Sequence, residues 1–149
     1  MPRRQDRVPV VFDTNVLVAH YLSRRTDSAC SQLIRLWRER RLQLVLSNLL
    51  QAEYLEVLER VRVEEARIER FRSSLLQRST VSFVRIGRTR AVSRDPDDNF
   101  VLATAESGKA KYLVTNDRDL LDLPKEQQRL FRFQIVTPSE AIAELPGSM

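Results

Sequence analysis

Residues 10–18 read VVFDTNVLV, Val10 to Val18, and this stretch decides the fold. Six of the nine residues are apolar, four of them valine. Such a run reads as a strand buried on both faces that leads into a helix. Asp13, Thr14 and Asn15 interrupt it at the point where the strand should end. A carboxylate between two buried runs is strongly disfavoured unless it is paired, hydrogen-bonded or bound to a cation. No basic residue lies beside Asp13 in the sequence to supply the pair.

Working outward, short apolar strands alternate with helical stretches. Strands are expected at Val8–Phe12, Leu42–Leu46, Val81–Val84, Lys111–Thr115 and Arg132–Val136. Helices are expected at Ser28–Arg41, Asn48–Arg60, Glu64–Arg78, Asp97–Ser107 and Pro138–Leu145. Two helices separate the second and third strands and read as an inserted hairpin. The alternation is the signature of a mainly parallel sheet of about five strands with helices on both faces. No linker divides the 149 residues, so one domain is expected over residues 1–149, with its core at about 8–145.

In such sheets ligands bind outside the carboxyl ends of the strands. Asp13 follows the first strand, and Asn116 and Asp117 follow the fourth, in KYLVTNDRDLL. Asp95, Asp97 and Asp98 lie in RDPDDNF, where the helix leading to the fourth strand begins. Ser47 follows the second strand. Leu50, Tyr54, Val57, Leu58 and Val61 form one apolar helical stripe, and Glu53 falls at its margin, whereas Glu56 and Glu59 point away. Helix capping accounts for part of this chemistry: Asp-Pro-Asp-Asp suits a helix start, and Asp117 suits a short helix through Leu121.

Carboxylates gathered at one edge repel one another, and a hard divalent cation removes that conflict. Magnesium and manganese favour such ligands and support hydrolysis of a phosphodiester. Other chemistries fit less well. Cys30 is the only cysteine and His20 the only histidine, which argues against a cysteine-built zinc site and a histidine-dependent nucleophile. Asn15 stands where an aspartyl phosphatase of the haloacid-dehalogenase type needs its second aspartate. Gly87, Gly108 and Gly147 are the only glycines, so a glycine-rich dinucleotide loop is excluded.

The net charge of +5 and pI near 10.0 point to an anionic partner. Arginine supplies nearly all of the positive charge, since lysine occurs only at Lys109, Lys111 and Lys125. Its guanidinium fork suits phosphate. Arg85, Arg88, Arg90, Arg94 and Arg118 are the candidate phosphate grips. Arg35, Arg38, Arg40 and Arg41 end a helix and complement its dipole. No apolar run is long enough to span a bilayer, and the basic start lacks the apolar segment of a secretion signal. A cytoplasmic protein without membrane partners is expected.

Asp13-Thr14-Asn15 after an apolar strand, Ser47 followed by Glu53, Asp98 opening a helix, and Thr115-Asn116-Asp117-Arg118-Asp119-Leu120 together resemble the PIN domain. The resemblance runs from about Val8 to Ala143. DPDDNF followed by YLVTNDRDLL is similar to VapC-like ribonucleases, the toxin components of toxin–antitoxin systems. The resemblance implies a three-layer α/β/α fold and a ribonuclease that uses Mg2+ or Mn2+. It implies Asp13, Glu53, Asp98 and Asp117 as catalytic, metal-binding acids. Thr14, Asn15, Thr115, Asp119 and Asp95 match supporting positions. A homodimer restrained by a cognate antitoxin is implied as well. The competing expectation is a non-catalytic module that binds RNA or protein. Leu55, Val63 and Ile68 of the hairpin could form a dimer or antitoxin surface, but ordinary packing against the sheet is the better reading of them. Cleavage of DNA stays open, because the same chemistry does not require a 2′-hydroxyl.

Overall fold

A computed structural model describes residues 7–87, 89–93 and 95–145. Its sheet contains β1 (Val8–Phe12), β2 (Leu42–Leu46), β3 (Val81–Phe83), β4 (Tyr112–Val114) and β5 (Gln134–Val136) in the order β3-β2-β1-β4-β5. Every neighbouring pair is parallel, so the sheet expected to be mainly parallel is wholly so. All five residues of β2 are buried, as are Val10, Val11 and Phe12 in succession. Consecutive buried residues on a strand require cover on both faces. Helices supply it in three layers.

The helices are α1 (Thr14–Leu22), α2 (Ala29–Arg38), α3 (Asn48–Arg60), α4 (Glu65–Leu75), α5 (Pro96–Ser107), α6 (Arg118–Leu121), α7 (Lys125–Gln128) and α8 (Pro138–Glu144). Helices α1, α2 and α8 pack together, while α5 lies against β1, β2 and β4. The α3–α4 hairpin joins β2 to β3. Its Val63 and Ile68 are buried, and Leu55 packs against the core. Phe71 on α4 makes edge or tilted contacts with Tyr21, Trp37 and Tyr54. The hairpin is therefore fastened to the core by ordinary packing.

Expected boundaries shift mainly at the short strands. β4 and β5 have three residues each. The expected start of β5 at Arg132 is displaced, because Phe131 and Phe133 stack with centroids 4.8 Å apart as the chain turns into the strand. α7 was not expected; its KEQQ sequence buries no residue and carries no apolar pattern.

Parallel strands place all their carboxyl ends on one edge. β1, β2 and β4 therefore deliver Asp13, Ser47 and Thr115 to the same side. The opposite, amino edge receives the ends of α2 and α5, which lead directly into β2 and β4. Each ends with a basic residue in the left-handed region, Arg40 at φ 63° and Lys109 at φ 52°. The capping bonds are those of the Schellman motif: Arg41 N to Leu36 O, and Ala110 N to Ala105 O. Glycine would favour that conformation, but Gly108 comes one position too early. A Cβ there would stand 2.2 Å from Val45 Cγ1, so close approach fixes the glycine at 108 and leaves Lys109 the strained position.

Candidate metal centre

Asp13 directly follows β1 and caps α1. Its Oδ1 accepts from the Thr14 backbone N–H at 2.8 Å, and Oδ2 accepts from the Thr115 hydroxyl at 2.7 Å and Asn15 Nδ2 at 3.2 Å. The residue is only 7% exposed. Burial pushes its carboxyl above the ordinary range, and the Asp117 charge adds to the rise. The Thr115, Thr14 and Asn15 bonds oppose it. The buried aspartate anticipated from the sequence is thus hydrogen-bonded, and among the described residues no cation pairs with it.

Thr115, fully buried, is the hub. Besides donating to Asp13, its Oγ1 accepts from the Asp117 backbone N–H at 2.9 Å and from Asn15 Nδ2 at 3.3 Å. Asn15 Oδ1 in turn accepts from the Asn116 N–H at 3.1 Å. One hydroxyl therefore ties the tip of β1 to the loop after β4. Asp117 caps α6, accepting from the Asp119 N–H at 3.0 Å.

Asp98 enters from the first turn of α5, which Asp95 caps. Its Oδ2 accepts from the Ser93 hydroxyl at 3.1 Å. Burial raises its pKa from 3.8 to about 6, opposed by Ser93 and reinforced by Asp117, Asp95 and Asp13. Carboxylate oxygens of Asp98, Asp117 and Asp119 lie within 4.8 Å of one another. Asp119, expected only in support, thus stands beside Asp98 and Asp117.

Glu53 occupies the other flank, on α3. It is half-buried, and its Oε1 accepts from the Thr14 hydroxyl at 2.5 Å. Burial raises its pKa, with Asp13, Asp97 and Asp95 adding to the effect and Thr14 opposing it. α3 is held in place by Ser47, which caps it through the Leu50 N–H and meets the Thr104 hydroxyl of α5 at 2.8 Å. Tyr54, next to Glu53 and fully buried, donates its hydroxyl to the Phe12 carbonyl immediately before Asp13.

The sequence reading did not identify Tyr54, Ser93 or Thr104 as parts of this arrangement. Tyr54 resembles any core aromatic in its helical stripe. Ser93 had a weak signal in its place just before RDPDD. Thr104 had none, because its partner is 57 residues away.

The arginines are dispersed. Arg85 is exposed at the acidic edge, beside Leu49 and Phe83. Arg118 opens α6 and pairs with Asp122 at 3.3 Å. Arg90, expected among the phosphate grips near the acids, is instead 3.2 Å from Glu106 in the last turn of α5. Glu106 lies eight residues along α5 from Asp98, roughly 12 Å at about 1.5 Å per residue. Arg88 and Arg94 lie outside the described residues. His20 meets Ser31 Oγ through Nδ1 at 2.9 Å near the end of α1, which suits a structural role.

The donor set suits a hard divalent cation: oxygen ligands only, clustered, and without a cationic partner among the described residues. The carboxyl pKa values of Asp13, Glu53 and Asp98 are raised chiefly by burial, and the neighbouring carboxylates add to the rise. A groove between α3 and α5, lined by Leu49, Glu53, Asp97 and Phe100, gives access to Glu53.

No curated protein sequence matches the chain. Among solved structures, it is similar to a chain in the crystal structure of VapBC2 from Rickettsia felis bound to a DNA fragment from their promoter. The identity is 14%, the TM-score 0.57, and the match covers 87% of this chain and 98% of the other. That likeness concerns the fold. The sequence pattern of the PIN domain matches residues 9–119, from the start of β1 into α6. By that match, spanning most of the chain, the protein belongs to the PIN domain family.

Proposed function

We propose that this protein is a metal-dependent endoribonuclease, the toxin component of a toxin–antitoxin pair. The single observation that carries this reading is the convergence of Asp13, Asp98, Asp117 and Asp119 on one edge without a cationic partner among the described residues. PIN family membership supports nuclease chemistry, and similarity to a VapBC2 chain supports an antitoxin partner.

Asp98, Asp117 and Asp119, with Asp13 beside them, would hold Mg2+ or Mn2+. When bound, such an ion supplies charge neutralisation and Lewis acidity for hydrolysis of a phosphodiester. The chain's own groups do the rest. Thr115 fixes the Asp13 carboxylate through Oδ2 and Asp117 through its backbone. Thr14 fixes one oxygen of Glu53. With its pKa raised, Glu53 is suited to accept a proton from the attacking water. Leu49, Phe83 and Phe100 offer apolar surface for bases beside the acids. A homodimer working in the cytoplasm completes the proposal.

The test is cleavage of a mixed single-stranded RNA with manganese, magnesium or chelator, run beside Asp13→Asn. Cutting that needs metal and disappears in the variant supports the proposal. RNA binding by both proteins with no cutting in any metal would refute it in favour of a binding module.

A further inference from the structure

We propose that a cleft at the amino edge of the sheet, remote from the acids, holds a nucleotide of the RNA strand outside the cleavage site. This rests on the reading of RNA as the substrate. The cleft has a volume of about 420 Å3 and is lined by Arg90, Glu106, Lys109, Leu130, Arg132 and Phe133, among others. Its size falls in the range of sites for small organic ligands, roughly 300–1,000 Å3. A nucleotide needs both an apolar floor and cations, and the cleft has both.

Three cations meet one carboxylate there. Arg90 pairs with Glu106, whereas Lys109 and Arg132 are exposed and without a carboxylate partner among the described residues. Leu130 on the rim is 47% exposed and gives the cleft an apolar edge. Lys109 is held toward this edge by the α5 cap, in a left-handed conformation that costs about 1–2 kcal/mol in a residue other than glycine. The acids at the carboxyl edge repel phosphate until a cation is bound. The amino edge carries no such cluster among the described residues, so it can hold the strand whether or not the metal centre is loaded. Lys109 and Arg132 each take one phosphate of the strand, and a base between them rests against Leu130.

The test is fluorescence anisotropy of a labelled single-stranded oligoribonucleotide in chelator, where the metal centre is empty and nothing is cut. Wild type is compared with the double variant Lys109→Ala/Arg132→Ala. Each phosphate contact on a single strand contributes about 0.7 to the slope of log affinity against log salt. Losing two contacts lowers that slope by about 1.4, so the variant's deficit shrinks about sevenfold between ~50 and ~200 mM salt. An unchanged slope, a deficit independent of salt, or no binding by wild type would each overturn the inference. A protein that cuts RNA with manganese but shows no change in slope fails this inference alone. One that shows the expected slope and never cuts fails the nuclease reading alone.

Discussion

Asp98→Asn separates the stability of the metal centre from its chemistry. The Asp98 carboxyl is raised from 3.8 to about 6, chiefly by burial and then by Asp117, Asp95 and Asp13. A rise of about two units is worth about 3 kcal/mol at 1.36 kcal/mol per unit. The exposed neighbours Asp95 and Asp119 keep water at its rim, and screening leaves about half of that. A folded pKa above the unfolded one means that the folded state binds the proton more tightly. The penalty is therefore full above about pH 6 and vanishes below about pH 4. Asparagine keeps an acceptor for Ser93 and carries no charge. In chelator at pH 7 the variant should be more stable by about 1.5 kcal/mol, or about 3–6 °C in Tm. The gain should fade as the pH drops toward 4. Manganese should reverse the order: a ligand at a hundred times its Kd adds about 2.7 kcal/mol to wild type, and the variant should lose most of that. Thermal melts at both pH values, with and without manganese, check all three outcomes. A variant less stable than wild type in chelator at pH 7, yet equally stabilised by manganese, would refute the reasoning.

Two further substitutions probe the frame around the acids. Thr115→Val keeps the shape but removes the hydroxyl that serves Asp13, Asp117 and Asn15; chemical denaturation should show a loss of about 1–3 kcal/mol, and Thr115→Ser should restore it. Gly108→Ala places a methyl 2.2 Å from Val45 Cγ1 and should destabilise by about 1–3 kcal/mol, with partial recovery in the double variant Gly108→Ala/Val45→Ala.

Much of this protein is local and can be read from its sequence. The apolar runs and their spacing specify β1, β2 and the alternating helices. Asp-Pro-Asp-Asp and Asp117 announce helix starts because a cap acts on backbone two residues away. Glu53 shows itself at the margin of an apolar stripe, since helical periodicity fixes which side a residue takes. What tertiary structure decided are the partnerships across long separations. The Thr115 hydroxyl reaches Asp13 over 102 residues, and Ser47 reaches Thr104 over 57. Packing groups Asp119 with Asp98 and Asp117, and the Thr14 hydroxyl holds Glu53 beside Asp13. Arg90 stands near the acids in sequence, but its pairing with the last turn of α5 carries it to the opposite edge. A parallel sheet draws this division: every strand delivers its carboxyl end to one side, and α2 and α5 bring basic caps to the other. Composition alone could report the excess of positive charge, but only the direction of the chain through each strand could put Arg40 and Lys109 on the edge opposite the acids.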